Sequence, residues 1–278
     1  MPLVSTASII SAARASGHGV AALNVVQLEN IEAILTGAER AGLPVVLQIS
    51  ENAVRYHGGL KPLANATIAA AEACAEPVSV HLDHAESLEL VREALALGLS
   101  SVMFDASSLG YEQNVSATAQ AVALCHASGA WVEAELGEVG GKQGVHEPGV
   151  RTDPDEAVAF VAATGVDALA VAVGSSHKMI DRVAALDFDL VSVLRSAVAV
   201  PLVLHGSSGV SDKGLRRAVA SGITKVNVAT QLNKVFTAAV RAYLAAQANE
   251  VDPRRYLGAG RSAMSDEAER LLRVIAGE

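Results

Sequence analysis

The stretch PLVLHGSSGVSDKGLRRAVASGITKVNVAT, residues 201–230, contains one complete repeat of the fold. Residues 201–206 are a short aliphatic run and residues 212–221 place apolar side chains at helical spacing. Gly222 interrupts the pattern, and 223–230 is a second aliphatic run. That order is a strand, a helix and a strand. Working outward, the same alternation covers the chain. Strands are expected at 20–25, 44–50, 77–84, 101–105, 131–137, 168–174, 201–206 and 223–230. Helices are expected near 28–41, 62–75, 87–98, 112–128, 154–164, 187–197, 212–221 and 231–247. Breakers mark the joins: Gly42-Leu43-Pro44, Glu76-Pro77, Gly98, Gly129, Gly165 and Gly222.

Eight such units in about 230 residues predict an α/β fold, a (β/α)8 TIM barrel with a C-terminal helical tail, rather than a doubly wound sheet. No linker or composition shift divides the chain, so 1–278 is expected to be one domain. Residues 138–153 are the one long polar interruption. They carry Gly140, Gly141, Gly144 and Gly149 after the fifth strand, where a lid would sit. Past Asn249 the tail reads as irregular from Asp252 to Tyr256 and helical over 263–275, lying across the barrel or a neighbour.

Composition narrows the class. With 51% apolar and 18% charged residues the 278-residue chain is not disordered. Its net charge of -9, with basic residues scattered, argues against nucleic acid or an anionic membrane as partner. The longest stretches free of charged residues and histidine are 1–13 and 113–125, short of the ~20 residues that span a bilayer. The first residues lack a basic start and long apolar run, so the expected location is cytoplasmic. Cys74 and Cys125 lie in Ala-rich helical patterns and read as buried thiols.

The polar residues collect at one end of the expected strands. Their C-terminal ends carry Asn24, Gln48, Ser50, Asp83, His84, Asp105, Glu133, Glu135, His205, Asn227 and Thr230, with His177 just past the sixth strand. Barrel enzymes build their sites at that rim. His84, His177 and His205 would converge toward the axis. Any one of them alone reads as a capping or core histidine. Three at one rim offer the neutral imidazoles of a catalytic zinc site with an open position. His81, deeper in its strand, reads as a hydrogen-bonded interior residue, and His18, His57, His126 and His146 as surface or lid. Asp105 and Glu135 end strands on the side facing the histidines, where isolated carboxylates are costly unless paired or metal-bound. A second cation position accounts for them; pairing with lysine or backbone N–H groups is the alternative. Glu133 shares the parity of Glu135 and takes the same role or accepts from a neighbouring strand. Asp83 and His84 should face opposite ways by strict alternation. A turn of the chain at the strand end would let both reach the site.

After strand seven comes His205-Gly206-Ser207-Ser208-Gly209, and strand eight runs through Asn227-Val228-Ala229-Thr230 into a helix. Small residues and a helix N-terminus at the seventh and eighth loops favour phosphate: backbone N–H groups point at the anion and the helix dipole attracts it.

Four segments, His81 to Ser87, Val132 to Gly137, Leu204 to Gly209 and Lys225 to Thr230, resemble the metal-dependent class II ketose-bisphosphate aldolases, which include fructose- and tagatose-bisphosphate aldolases. The likeness runs in order from Leu23-Asn24-Val25 to Asp252-Pro253-Arg254. It implies zinc held by His84, His177 and His205, and a second divalent position at Asp105 and Glu135. Asp83 becomes the acid/base on the hydroxyl that turns into the aldehyde. The triose phosphate falls to Gly206, Ser207, Ser208 and the run Asn227, Val228, Ala229, Thr230, with Asn24 and Ser50 nearby and a monovalent cation assisting. Arg254 matches a contact to the far phosphate, and a homodimer or homotetramer is implied. Two positions depart from the family. Lys178 follows His177 where glycine is usual, and either replaces a cation beside the phosphate or points to solvent. Lys142-Gln143 follows Gly140-Gly141 where many members carry acids that move the proton at the triose carbon. Glutamine does not shuttle a proton; His146 or Glu147 is the candidate replacement.

The implied reaction is reversible cleavage of a ketose 1,6-bisphosphate to dihydroxyacetone phosphate and an aldose phosphate. Fructose and tagatose substrates stay open, the run Asn227 to Thr230 looking more like the tagatose type. Two other readings are a metal-dependent barrel hydrolase, disfavoured because the first strand offers Leu23-Asn24-Val25 rather than paired histidines, and a non-catalytic phosphosugar-binding barrel, prompted by Gln143 and Lys178.

Overall fold

A computed structural model describes residues 3–136, 151–176, 179 and 181–278. Eight parallel strands among them close into a barrel in sequence order: β1 (Val20–Asn24), β2 (Val45–Ser50), β3 (Val78–Ala85), β4 (Ser101–Phe104), β5 (Trp131–Leu136), β6 (Ala168–Val171), β7 (Leu202–Leu204) and β8 (Ile223–Val228), with β8 pairing back to β1. Between and around them run α1 (Thr6–Ser16), α2 (Leu28–Ala41), α3 (Glu51–His57), α4 (Lys61–Ala73), α5 (Leu88–Ala96), α6 (Tyr111–Ala127), α7 (Pro154–Thr164), α8 (Phe188–Ala197), α9 (Asp212–Ser221), α10 (Thr230–Ala246) and α11 (Pro253–Ala276). The TIM-barrel expectation holds. Every expected strand is present, the sixth, seventh and eighth ending two or three residues earlier, at Val171, Leu204 and Val228.

Alternation along the strands creates two cores. Outward residues such as Leu23, Leu47, Val80 and Leu82 pack against the helices. Inward residues Val20, Ala22, Val46, Trp131, Ala168, Ala170 and Val203 form a separate cluster with Ile9, Ile10 and Ala13 of α1. α1 therefore closes the barrel at the N-terminal ends of the strands. Its start is fixed by Ser5, whose hydroxyl accepts from Ser8 N–H, and its end by Gly17 in the left-handed region. Burial of the Ile9 and Ile10 side chains stabilises this plug by about 1.5–3 kcal/mol each. The repeat pattern did not predict α1, because the helix precedes the first strand.

The tail differs from expectation at Asp252 to Tyr256, which is the start of a 24-residue helix rather than an irregular segment. Asp252 accepts from Arg254 N–H as the cap, and Pro253 occupies the first turn, where its missing N–H costs nothing. α11 packs across α2, and the contact needs Gly37: a Cβ there would sit 2.8 Å from Ala268 Cβ. Among the described residues no helix is long and apolar enough to cross a membrane.

Candidate active site

At the C-terminal rim, the register between β3 and β4 slips. Leu82 opposes Val102 and Ala85 opposes Phe104, so β3 spends one more residue than β4 over this interval. The extra residue lies at Asp83-His84. His84 has φ 52°, left-handed for a non-glycine residue, at a cost on the order of 1–3 kcal/mol. That bulge answers the alternation problem. Asp83 keeps its inward direction and His84 turns to join it, with His84 Nε2 3.9 Å from Asp83 Oδ1.

The Asp83 carboxylate is held by a chain of amides. Gln48 Nε2 donates to Asn24 Oδ1 at 2.6 Å, and Asn24 Nδ2 donates to Asp83 Oδ2 at 3.1 Å. Asp83 Oδ1 is buried with no hydrogen bond among the described residues. Burial acts to raise the Asp83 pKa, but His84, His205 and Lys225 outweigh it and hold the carboxyl below its ordinary value. Asp83 is thus an anion with one oxygen available.

His84, Glu135 and His205 each present a ligand atom, and these lie within 4.8 Å of one another. The two imidazoles meet edge to face, centroids 4.8 Å apart. His84 Nδ1 lies 2.6 Å from Asp105 Oδ2, while Asp105 Oδ1 accepts from the Ser107 hydroxyl at 2.6 Å. His205 is fully buried between carboxylates, Nδ1 2.9 Å from Glu135 and Nε2 2.8 Å from Glu133. Glu133 also accepts from Lys225 Nζ at 2.7 Å, so it does take a bond from a neighbouring strand. Two imidazoles and a carboxylate converging on one point fit a divalent cation such as zinc. Asp105 stands behind His84 rather than in this group, and His177 and Lys178 lie outside the described residues, as do Gln143, His146 and Glu147.

His81 is interior, as expected. Its Nδ1 is 2.8 Å from Ser101 Oγ, and burial pushes its pKa down to about 3, so the ring is neutral. Cys74 and Cys125 are free buried thiols.

Beside the cluster, Gly206 begins a single 3-10 turn, Ser207–Gly209, and Ala229 leads into α10. Gly206 has φ 64°, and a Cβ on it would lie 2.5 Å from the Ser176 carbonyl carbon. Only glycine satisfies both the backbone and this close approach. Ser207 donates to the Asn227 carbonyl, which commits its hydroxyl proton, whereas Ser208 accepts from Gln231 N–H and keeps its own proton for a ligand. Ser50 resembles Ser208: its oxygen caps α3 by accepting from Ala53 N–H. Both side-chain polar atoms of Asn227 are buried without hydrogen-bond partners among the described residues. Val228 points into the outer core, so it can contribute only backbone to a ligand. Thr230 opens α10. Arg254 is apart from these residues on the first turn of α11. Its side chain is 89% exposed and bonds Asp252.

An ionic chain lies behind the turn that follows β7. Arg182 donates to the Val210 carbonyl at 2.8 Å and to Asp212, which also accepts from Arg270 of α11 at 2.6 Å. Glu267, paired with Arg270, accepts from Gln231 Nε2 at 2.9 Å. Sequence reading missed this chain, Lys225 and Ser175, whose hydroxyl is buried and has no hydrogen-bond partner among the described residues. Ser175 follows the sixth strand on the rim side, a position that could have flagged it; the ionic chain had no comparable signal.

The described geometry agrees with the comparisons. The family model for fructose-bisphosphate aldolase class-II matches residues 4–278. A fructose-bisphosphate aldolase of Geobacillus stearothermophilus is 40% identical over 95% of this chain and 93% of its own. The probable fructose-bisphosphate aldolase of Bacillus subtilis is 40% identical over 96% of this chain and 95% of its own. The crystal structure of the YdjI aldolase from Escherichia coli K12 superposes with a TM-score of 0.85 at 30% identity, covering 99% of this chain and 98% of that one.

Proposed function

Given that the chain belongs to the class II fructose-bisphosphate aldolase family and is an aldolase, a carbon–carbon lyase, we propose that it cleaves a ketose 1,6-bisphosphate of fructose or tagatose type, reversibly and with zinc. The products are dihydroxyacetone phosphate and an aldose phosphate. The observation that carries this reading is the convergence of His84, Glu135 and His205 directly beside Asp83. His177 is assigned as the third histidine ligand from its motif, and Asp105 and Glu135 as the second cation position. His84, His177 and His205 would hold the catalytic ion, which when bound would supply Lewis acidity toward the ketone and stabilise the charge left by C–C cleavage.

The protein's own groups do the rest. Asp83 removes the proton from the C4 hydroxyl through its Oδ1, while Asn24 and Gln48 hold the other oxygen still. The turn at Gly206, Ser207 and Ser208 and the start of α10 at Thr230 receive the phosphate of the triose half, assisted by a monovalent cation. Asn227, with two polar atoms that lack hydrogen-bond partners among the described residues, faces the same half. Lys178 and Arg254 are assigned to phosphate on their motif positions. The aldolase works in the cytoplasm as a homodimer or homotetramer, with a small phosphorylated sugar as its ligand.

The test is a coupled assay of zinc-reconstituted protein with fructose 1,6-bisphosphate and tagatose 1,6-bisphosphate. Cleavage of at least one, lost on chelation and restored by zinc, is expected. Equal activity after exhaustive chelation, or no cleavage of either sugar, would overturn the reading.

A further inference from the structure

Lys225 is fully buried inside the barrel, as is its partner Glu133. Removing such a pair from water costs several kcal/mol per ion, so stability alone is a poor reason for it. Its placement suggests another. Glu133 Oε2 accepts from Lys225 Nζ at 2.7 Å, and Glu133 Oε1 lies 2.8 Å from His205 Nε2. The other nitrogen of the same ring, Nδ1, faces Glu135 at 2.9 Å, on the side of the group formed with His84. A carboxylate has only acceptors, and Glu133 already accepts from the Lys225 ammonium at Oε2, which leaves Oε1 as the acceptor facing the ring. The proton between Glu133 and His205 must therefore reside on Nε2.

We infer that Lys225 and Glu133 are positioning residues that fix the orientation and tautomer of His205, so that Nε2 carries the proton and Nδ1 offers its lone pair to the metal. Glu135 serves on the ligand side of the ring and Glu133 on the supporting side, although both come from β5 with the same parity. This assignment rests on the proposed metal site. A supporting carboxylate of this kind commonly changes metal affinity 10- to 100-fold. Lys225 acts one step further out: its ammonium holds Glu133 Oε2 and so aims Oε1 at Nε2 of the ring.

The inference is testable on the zinc-loaded protein with 15N-labelled histidine. The His205 resonance should show a protonated Nε2 and a metal-bound Nδ1. Metal on Nε2 would overturn the assignment. A second measurement uses the double variant Lys225→Met with Glu133→Gln, which removes both buried charges while conserving shape and so avoids leaving either ion unpaired. Competitive titration should give zinc binding at least about 10-fold weaker than wild type, and cobalt substitution should give an altered visible spectrum. A folded double variant with wild-type zinc affinity and an unchanged cobalt spectrum would show the pair to be purely structural. A double variant that fails to fold leaves the nitrogen assignment to decide the question. Wild-type protein that binds no zinc would overturn the metal site and this inference together.

Discussion

Asp83 and His84 are neighbours in the chain, yet their side chains share one face of the rim, 3.9 Å apart, because His84 adopts φ 52° at a bulge in β3. On the proposed function, base and metal ligand come from one dipeptide. Asp83→Asn keeps the shape and the amide contacts but removes the base. We expect kcat to fall by about 10²- to 10⁴-fold, with zinc content unchanged by elemental analysis. Loss of zinc in parallel with activity would place Asp83 among the ligands instead.

Asp105 holds His84 through Nδ1 and is itself held by Ser107. If Asp105 mainly orients the ring, Asp105→Ala should weaken zinc binding about 10- to 100-fold in competitive titration, and excess zinc should restore much of the activity. Activity that stays absent at saturating zinc would give Asp105 a direct part in the reaction.

At Gly206 both conformation and space exclude a side chain. Gly206→Ala is expected to lower the unfolding free energy by at least about 2 kcal/mol in urea titration and to raise KM for the bisphosphate. Wild-type stability in this variant would mean that the turn against Ser176 is much looser than described.

In the metal-free protein, burial opposes protonation of His205, but hydrogen bonds to Glu133 and Glu135 prevail and raise its pKa to about 9. The unfolded histidine titrates near 6.5. The raised value means that the folded state binds the proton more tightly. The associated stability is fully present below about pH 6.5 and is lost as pH rises through 9. Melting of chelated protein should show this decline between those limits. The zinc-loaded protein should lack this contribution, since metal replaces one ring proton, and zinc binding near pH 7 should release protons measurable in a weakly buffered titration. A metal-free melting temperature that rises steadily from pH 6.5 to 9 would contradict the described surroundings of His205.

The barrel was legible because each strand and helix declares itself locally. The aliphatic run at 201–206, the helical spacing at 212–221 and the break at Gly222 need no distant partner to be read. The rim residues Asp83, His84 and His205 were legible for the same reason, since strand ends can be counted. α1 was not, for its Ile9 and Ile10 gain their place only by filling the bottom of a closed barrel. Asp252 to Tyr256 reads as irregular in sequence and is a helix start, because Asp-Pro serves either role until the next turn packs on α2 and α10.

By itself, then, the sequence determined the order of eight strands, their polar end and the chemical types gathered there, all consequences of short-range periodicity. Which partner each group meets was decided only by closure of the barrel. Glu133 and Glu135 share one strand and one parity, so no local rule separates them. Lys225 arrives 92 residues later and claims Glu133, leaving Glu135 beside His205 and His84. Such a division depends on hydrogen bonds across the barrel axis, whose distances and directions exist only in three dimensions.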